Sequence, residues 1–204
     1  MASLRLKRFE ELTPGNMNEE TYAHIRDKIL DYLSRQGFSE KKLLHKVTDL
    51  RRRYPHTNRY AGYIASNVLK VIGDLKKEGI INDEAFARDV LRQLKDKKDG
   101  PERIRQKMYR RLIPKGIIEK VMQEFAADSF QQDFSSIVRD VRRKKEDLVD
   151  KYGRSRKASY VIWQKVYAYI AQKGYYPDDV RIIMHKAGVD TKGNTDVEED
   201  GLQE

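Results

Sequence analysis

Residues 79–94 read GIINDEAFARDVLRQL and contain a helix end, a tight turn and a new helix start. Gly79 follows a basic segment and can take the left-handed conformation that commonly ends a helix. Asn82 can cap the next helix, and the two acids after it suit the positive end of the helix dipole. Apolar residues then recur from Phe86 to Leu94 at three- and four-residue spacing, which predicts one buried face of an α-helix.

The same order of a helix end, a glycine turn and a new helix start occurs at other places in the chain. A basic helix end is followed by glycine, an apolar residue and an acidic helix start at Gly37, Gly79, Gly116 and Gly174. Each glycine can take the left-handed conformation, with Ser39 and Asn82 as helix caps and Pro177 in a first turn. Any helical protein can end its helices with glycine, but four turns with one residue order favour an internal repeat of helical modules.

Apolar residues keep a helical spacing from about residue 22 to residue 187. The spacing predicts an all-α chain whose helices lie near 22–36, 39–54, 58–78, 83–98, 101–112, 115–126, 130–152, 156–173 and 177–187. In the eighth helix the predicted buried stripe is Tyr160, Trp163, Tyr167 and Ile170. The tyrosines and their β-branched neighbours would also suit a strand.

Turns and composition divide the chain into five predicted parts. Residues 1–21 lack sustained periodicity and predict a flexible arm. The body divides into tandem three-helix modules at 22–79, 80–127 and 128–188, and residues 189–204 form an acidic flexible tail. Modules of this size are near the lower limit of independent stability, so we expect neighbouring modules to brace one another.

The composition excludes several classes of protein. The 204 residues include no cysteine, which excludes a disulfide framework, a thiolate metal site and a cysteine nucleophile. No apolar run approaches the roughly 20 residues that span a bilayer, and the first residues have no apolar core of a secretory signal. We therefore expect a cytoplasmic protein with no membrane partner.

Charge is unevenly distributed along the chain. The net charge is +10, but the stretch from Asp190 to Glu204 is acidic, and residues 1–189 alone carry 41 basic and 26 acidic side chains. A basic body with an acidic tail is common in proteins that meet polyanions such as nucleic acids. A solvated surface with a flexible end is the alternative interpretation.

Catalytic and cofactor signatures are missing from the sequence. It contains neither a phosphate-binding glycine loop nor histidines at metal-ligand spacing, because His24, His45, His56 and His185 lie in different segments. The paired acids at helix starts suit capping better than acid–base catalysis. We therefore expect a protein that is not an enzyme and requires no metal or nucleotide cofactor.

Basic clusters are the positive signal for function, because polyanion binding needs several cations and little local geometry. The candidate binding residues are Arg51, Arg52, Arg53, Lys97, Lys98, Arg110, Arg111, Arg142, Arg143, Lys144, Lys145, Arg154, Arg156 and Lys157. Tyr152 and Tyr160 flank the last cluster and could stack on exposed bases. Runs of charge are also typical of solvated faces, and Tyr160 has a place in the predicted core stripe.

Several segments together resemble the RecX family. The segments are Gly79–Ala87, Asp99–Ile104, Leu112 and Lys115–Ile117, with Tyr32–Leu43 similar to the family's first module. The match is good over about 28–125 and looser over 129–187. Asn82 stands where the family has the first acid of an Asp-Asp pair, and it keeps the capping role.

The resemblance implies a crescent of tandem three-helix repeats that binds the RecA recombinase filament and most often inhibits its ATP hydrolysis and strand exchange. It supplies no catalytic residues, and it leaves direct binding of single- or double-stranded DNA open. Gly79 and Gly116 would set turns, while Phe86 and Ile104 would anchor the second module's core. We expect a monomer. A general DNA- or RNA-binding helical protein and a helical adaptor remain alternatives.

Overall fold

The computed structural model describes residues 17–128 and 134–189. This part of the chain contains α-helices, one short 3₁₀ helix at Asn58–Tyr60 and no strand, which confirms the prediction of an all-α protein. The helices are α1 (Glu19–Arg35), α2 (Glu40–Arg53), α3 (Ala65–Lys77), α4 (Asp83–Asp96), α5 (Pro101–Arg110), α6 (Lys115–Asp128), α7 (Ser135–Tyr152), α8 (Arg156–Gln172) and α9 (Pro177–Lys186). Most of the predicted arm over 1–21 and all but the first residue of the predicted acidic tail lie outside the described residues.

Side-chain caps begin the helices where the sequence predicts them. The Ser39 hydroxyl accepts the backbone N–H of Lys42 at 3.3 Å, and the Asn82 side chain accepts that of Ala85 at 3.0 Å. Each cap satisfies one of the N–H groups that a helix leaves unpaired in its first turn. Pro177 occupies the first turn of α9, as predicted.

Helix α3 begins later than the predicted helix over 58–78. Its first residue is Ala65, and Ile64 before it is extended. The intervening segment packs on α1, because the buried Tyr63 hydroxyl donates to the carbonyl of His24 at 3.1 Å. A Cβ on Gly62 would lie 2.5 Å from the Thr21 side chain, so a larger residue there would displace that side chain.

Two of the four predicted glycine turns have the left-handed conformation. Gly79 and Gly174 have φ angles of 74° and 84°, whereas Gly37 and Gly116 do not have positive φ. Helix α1 ends instead with an extended Gln36, and Gly116 lies inside the first turn of α6. The four turns are therefore alike in residue order but differ in backbone geometry.

The chain divides into two compact units. Unit 1 comprises the chain up to Arg88 together with Tyr109–Ile117, and unit 2 comprises Asp89–Met108 together with the chain from Ile118 onward. The predicted second module is thus shared between the two units, and the division into three modules stays a prediction.

Helices α1, α2 and α3 pack together to form the core of unit 1. Its buried side chains are Ile25, Ile29, Leu43, Val47, Tyr63, Val68, Val71, Ile72, Leu75 and Ile81. Burial raises the pKa of Tyr63 to about 12, because an ionised phenol would be poorly solvated there.

Two residues of the 79–94 stretch also stabilise unit 1. The Asp83 carboxylate accepts the backbone N–H of Glu40 at 2.9 Å and so satisfies the first turn of α2. Phe86 is half-buried, and its ring lies so close to Gly37 that a Cβ on that glycine would approach within 2.7 Å. Phe86 therefore covers the turn between α1 and α2. The expectation that it anchors the second module's core is wrong, whereas Ile104 is buried as expected.

Helices α7, α8 and α9 form the main core of unit 2. Its buried side chains are Phe134, Ile137, Val138, Val141, Ile162, Val166, Ile170, Val180, Ile183, Met184, Ala187 and Val189. Segment 160–170, for which a strand was the alternative, is helical.

The start of α5 lies against the end of α8, backbone to backbone. Gly100 and Glu102 donate their N–H groups to the carbonyls of Lys173 and Gly174 at 2.7 and 3.1 Å. A Cβ on Gly100 would lie 2.4 Å from the Gly174 carbonyl carbon, so only glycine fits. Unpaired N–H groups of one helix thus meet unpaired carbonyls of another, which satisfies both ends.

Candidate nucleic-acid interface

The predicted binding residues are distributed over both units, and their local contacts separate them into two kinds. Some donate to carboxylates or carbonyls of the fold. The others are exposed, and their side chains have no hydrogen-bond or ion-pair partner among the described residues: Arg51, Lys97, Arg110, Arg143, Arg154 and Lys157. Only exposed cations of this second kind can contact a polyanion without first breaking a contact of the fold.

In unit 1 the Arg51–Arg53 cluster forms the last turn of α2. Arg52 and Arg53 both pair with Asp49 one turn earlier, at 2.7 Å for Arg52. The hydrogen bond from Arg52 lowers the pKa of the Asp49 carboxyl despite the opposing effect of desolvation. Both arginines line an open groove of about 520 Å³ whose other basic residues are Lys42, His45 and Lys46.

Two predicted binding residues, Lys98 and Arg111, are less exposed than the basic residues that precede them. Lys98 pairs with Asp140 at 2.6 Å and has a φ of 58° just after α4. Arg111 is half-buried, and its carbonyl accepts the Ser39 hydroxyl at 2.7 Å. Their neighbours Lys97 and Arg110 remain exposed.

The Arg142–Lys145 cluster lies on α7 and contacts the end of α9. Arg142 donates to the carbonyl of Lys186 at 2.7 Å, and Lys145 donates to the carbonyl of Gly188 at 2.6 Å. The Lys144 ammonium lies 4.9 Å from the centre of the Tyr169 ring. Cations at a helix C-terminus satisfy unpaired carbonyls and the negative end of the dipole. This cluster therefore stabilises the fold through all its members except Arg143.

The Arg154–Lys157 cluster lies at the turn from α7 into α8. Gly153 makes this turn with a φ of 79°, and the Ser155 side chain caps α8 by accepting the N–H of Ala158 at 3.2 Å. Arg154, Arg156 and Lys157 are all exposed. The turn therefore presents its cations to solvent, while the cap is provided by an uncharged residue.

The aromatic residues of α8 lie beside its buried face and do not form it. The buried stripe is Ala158, Ile162, Val166 and Ile170, at a regular four-residue spacing. Tyr160 is 62% exposed, so the prediction that it belongs to the core stripe is wrong. Small or β-branched apolar residues recur every four positions in this segment, and that spacing was the sequence signal for the buried face of α8.

Three of these rings form a row along α8, which sequence reasoning missed. Tyr160 and Trp163 are stacked with ring centroids 6.4 Å apart, and Trp163 and Tyr167 are stacked at 5.4 Å. We call Tyr160, Trp163 and Tyr167 the aromatic row. Nearby, the half-exposed Tyr152 ring lies 5.6 Å from the ammonium groups of both Lys151 and Lys165.

The chain segment that carries the aromatic row is basic, and two acids of α7, Glu146 and Asp150, line a groove together with Arg154 and Ser159. The segment 151–177 contains six basic residues and no acidic residue. Helix α8 carries no carboxylate at all, unlike each of the other described α-helices. A surface that combines cations with stacked rings has the two features that bind single-stranded nucleic acid.

Other kinds of site receive no support from the described part of the chain. Its histidines and acids do not gather into a group of three or more that could hold a metal ion. None of its helices has the length and apolar character needed to cross a membrane.

The fold and this surface define a class of protein: an all-helical chain built from packed trios of helices with a basic exterior. Comparison with known proteins shows what the chain is similar to. The family model described as the second three-helix domain of RecX matches residues 82–122. The regulatory protein RecX of Clostridioides difficile (strain 630) is 25% identical over 178 residues, which cover 87% of this chain and 74% of that protein.

Solved structures show the same fold. RecX from Lactobacillus salivarius superposes with a TM-score of 0.58 at 19% identity, over 83% of this chain and 97% of its own. A second crystal structure of a regulatory protein RecX gives a TM-score of 0.55 at 18% identity, over 85% of this chain and 79% of its own. In its fold, and in the sequence of its second three-helix segment, the chain is thus similar to RecX regulatory proteins.

Proposed function

We propose that this protein binds the filament formed by the RecA recombinase on DNA and inhibits its ATP hydrolysis and strand exchange. The observation that carries the proposal is the match of residues 82–122 to the second three-helix domain of RecX, since the RecX resemblance implies this regulation. The matched segment supplies scaffold contacts, including the Asn82 cap and the Gly100 junction. Binding would therefore depend on the surface that this scaffold supports.

The exposed cations support binding to a nucleoprotein filament. Arg51 in unit 1 and Arg143, Arg154 and Lys157 in unit 2 are exposed and have no partner among the described residues. Such side chains can displace counterions from DNA phosphates or pair with acidic protein surfaces, and they accelerate association at low salt. No catalytic group is needed for this role, because holding recombinase subunits in one state is sufficient to stop turnover.

The test is a titration of the protein into a preformed filament of RecA, single-stranded DNA and ATP while ATP hydrolysis is followed. We expect hydrolysis to fall at less than one copy per recombinase subunit, because one chain with several helical modules can contact more than one subunit. Inhibition should weaken as salt rises, since exposed charges are screened. Unchanged hydrolysis and strand exchange at saturating protein would contradict the proposal.

A general nucleic-acid-binding protein without a recombinase partner is the second candidate. The aromatic row beside the basic turn favours it, because stacking on bases requires no recombinase. Tight binding to naked DNA together with an unaffected RecA filament would select this candidate.

A further inference from the structure

The aromatic row packs against the core at its Trp163 and Tyr167 end and is exposed at its Tyr160 end. Trp163 and Tyr167 are partly buried and pack against the core of unit 2, whereas Tyr160 at the open end is 62% exposed. Rings that are already held in place lose little side-chain entropy when a ligand stacks on them. The row is therefore pre-organised for a flat apolar ligand that enters at Tyr160.

Two exposed cations lie close in sequence to the open end of the row. Tyr160 lies less than one turn after Lys157 and just beyond the turn that carries Arg154, and both cations are exposed without a partner among the described residues. The acids Glu146 and Asp150 of α7 line a groove beside Arg154, and the segment 151–177 itself carries no acid. The ligand that matches an exposed ring beside exposed cations is a planar group joined to an anionic backbone.

Unpaired bases fit this description and paired bases do not. In a duplex the base faces are stacked inside the helix, so an exposed protein ring cannot reach them, whereas a single strand presents both faces and phosphates together. We propose that the aromatic row binds unpaired bases of single-stranded DNA, with Tyr160 as the stacking residue and Arg154 and Lys157 on the adjacent phosphates. The choice of DNA over RNA rests on the proposed function.

The experiment uses the full chain without recombinase, and it exploits Trp163, the only tryptophan in the sequence. A thymidine strand of about 20 nucleotides is titrated while the fluorescence of Trp163 is followed, because a base stacked on the row changes the environment of the indole. We expect quenching with this strand and little quenching with a duplex of the same length. Equal affinity and equal quenching with the two DNA forms would overturn the proposal, since phosphate contacts alone would then account for binding.

Two substitutions at Tyr160 locate the stacking contact. Tyr160→Ala should weaken binding of the strand about tenfold, equivalent to about 1.4 kcal/mol, while Tyr160→Phe should keep the affinity because the ring is retained. Folding should be unaffected, since Tyr160 is 62% exposed. Tyr176→Ala is the control: it removes another exposed tyrosine, 41% exposed, whose hydroxyl accepts a hydrogen bond from Arg105 and which is followed by Asp178 and Asp179. A loss of affinity as large in the control as in Tyr160→Ala would overturn the assignment.

A uridine strand of the same length tests the choice of nucleic acid. Preference for the thymidine strand supports DNA, and tighter binding of the uridine strand would assign the row to RNA and overturn the proposal.

The outcome of the strand-binding experiments is independent of the recombinase test. If RecA hydrolysis is inhibited but the strand is not bound, the row is assigned wrongly and the proposed function stands. If the strand is bound and hydrolysis is unaffected, the row stands and the regulatory proposal fails.

Discussion

Two basic clusters of similar composition lie in unit 2, one within α7 and one at the turn into α8, and their contacts differ. Arg142 and Lys145 donate to the last carbonyls around α9. Arg154 and Lys157 are exposed with no partner among the described residues. The difference arises because the first cluster faces a helix C-terminus, which attracts cations, and the second follows a turn whose cap is the neutral Ser155. A run of cations thus identifies a binding surface only after its contacts within the fold are known.

The largest expected effect is a loss of stability at Gly100, where the start of α5 contacts the end of α8 in unit 2. Gly100→Ala places a Cβ 2.4 Å from the backbone of Gly174, where no flexible side chain can move away. We expect a loss of about 3 kcal/mol or more in the free energy of unfolding, measured by urea denaturation. Gly73→Ala is the control. Its Cβ would meet nothing within 4 Å in the middle of α3, so this variant should gain about 0.5–1 kcal/mol.

An intermediate effect is expected from the structural cluster. The Arg142→Glu/Lys145→Glu variant removes two charge-assisted hydrogen bonds and places negative charge beside the negative end of the α9 dipole. We expect a loss of about 2 kcal/mol, read from the same denaturation curves. If this variant is as stable as the parent, the two contacts do not hold α9, and the contrast between the clusters disappears.

The smallest effect on stability, but a clear effect on function, is expected from the exposed cluster. The Arg154→Glu/Lys157→Glu variant should unfold within about 0.5 kcal/mol of the parent, because both side chains are solvated. Its inhibition of RecA ATP hydrolysis should require about tenfold more protein, and the salt dependence of inhibition should be shallower. The Lys41→Glu/Lys70→Glu variant makes the same change in charge at exposed positions outside the predicted clusters and should inhibit like the parent. Equal losses in both variants would mean that net charge alone determines inhibition.

Local patterns allowed the helices and their caps to be predicted. Apolar spacing placed the helices, and the Ser39 and Asn82 caps lie where their residue types indicated. The residue order in segments 79–87 and 99–104 indicated the resemblance to RecX, whose second three-helix domain matches residues 82–122. These features depend on interactions within about one helical turn, so they can be read from neighbouring residues.

Long-range contacts explain the predictions that failed. Arg142 bonds to a carbonyl 44 residues away, and Phe86 lies over a glycine in the turn between α1 and α2. Both arrangements depend on which helices pack together. The position of a residue on the polar or apolar face of its own helix does not predict them. Tyr160 was assigned to the core for a related reason, since large aromatic rings can lie beside a buried stripe as well as in it.

The sequence by itself thus determined the all-helical fold class, most of the helix starts and the resemblance to RecX, because these depend on short-range periodicity, capping chemistry and residue order. Only the tertiary structure decided which cations are available to a partner and that three rings of α8 form an exposed row. Availability is a property of packing: a side chain is free when no helix end or carboxylate from a distant segment lies within its reach.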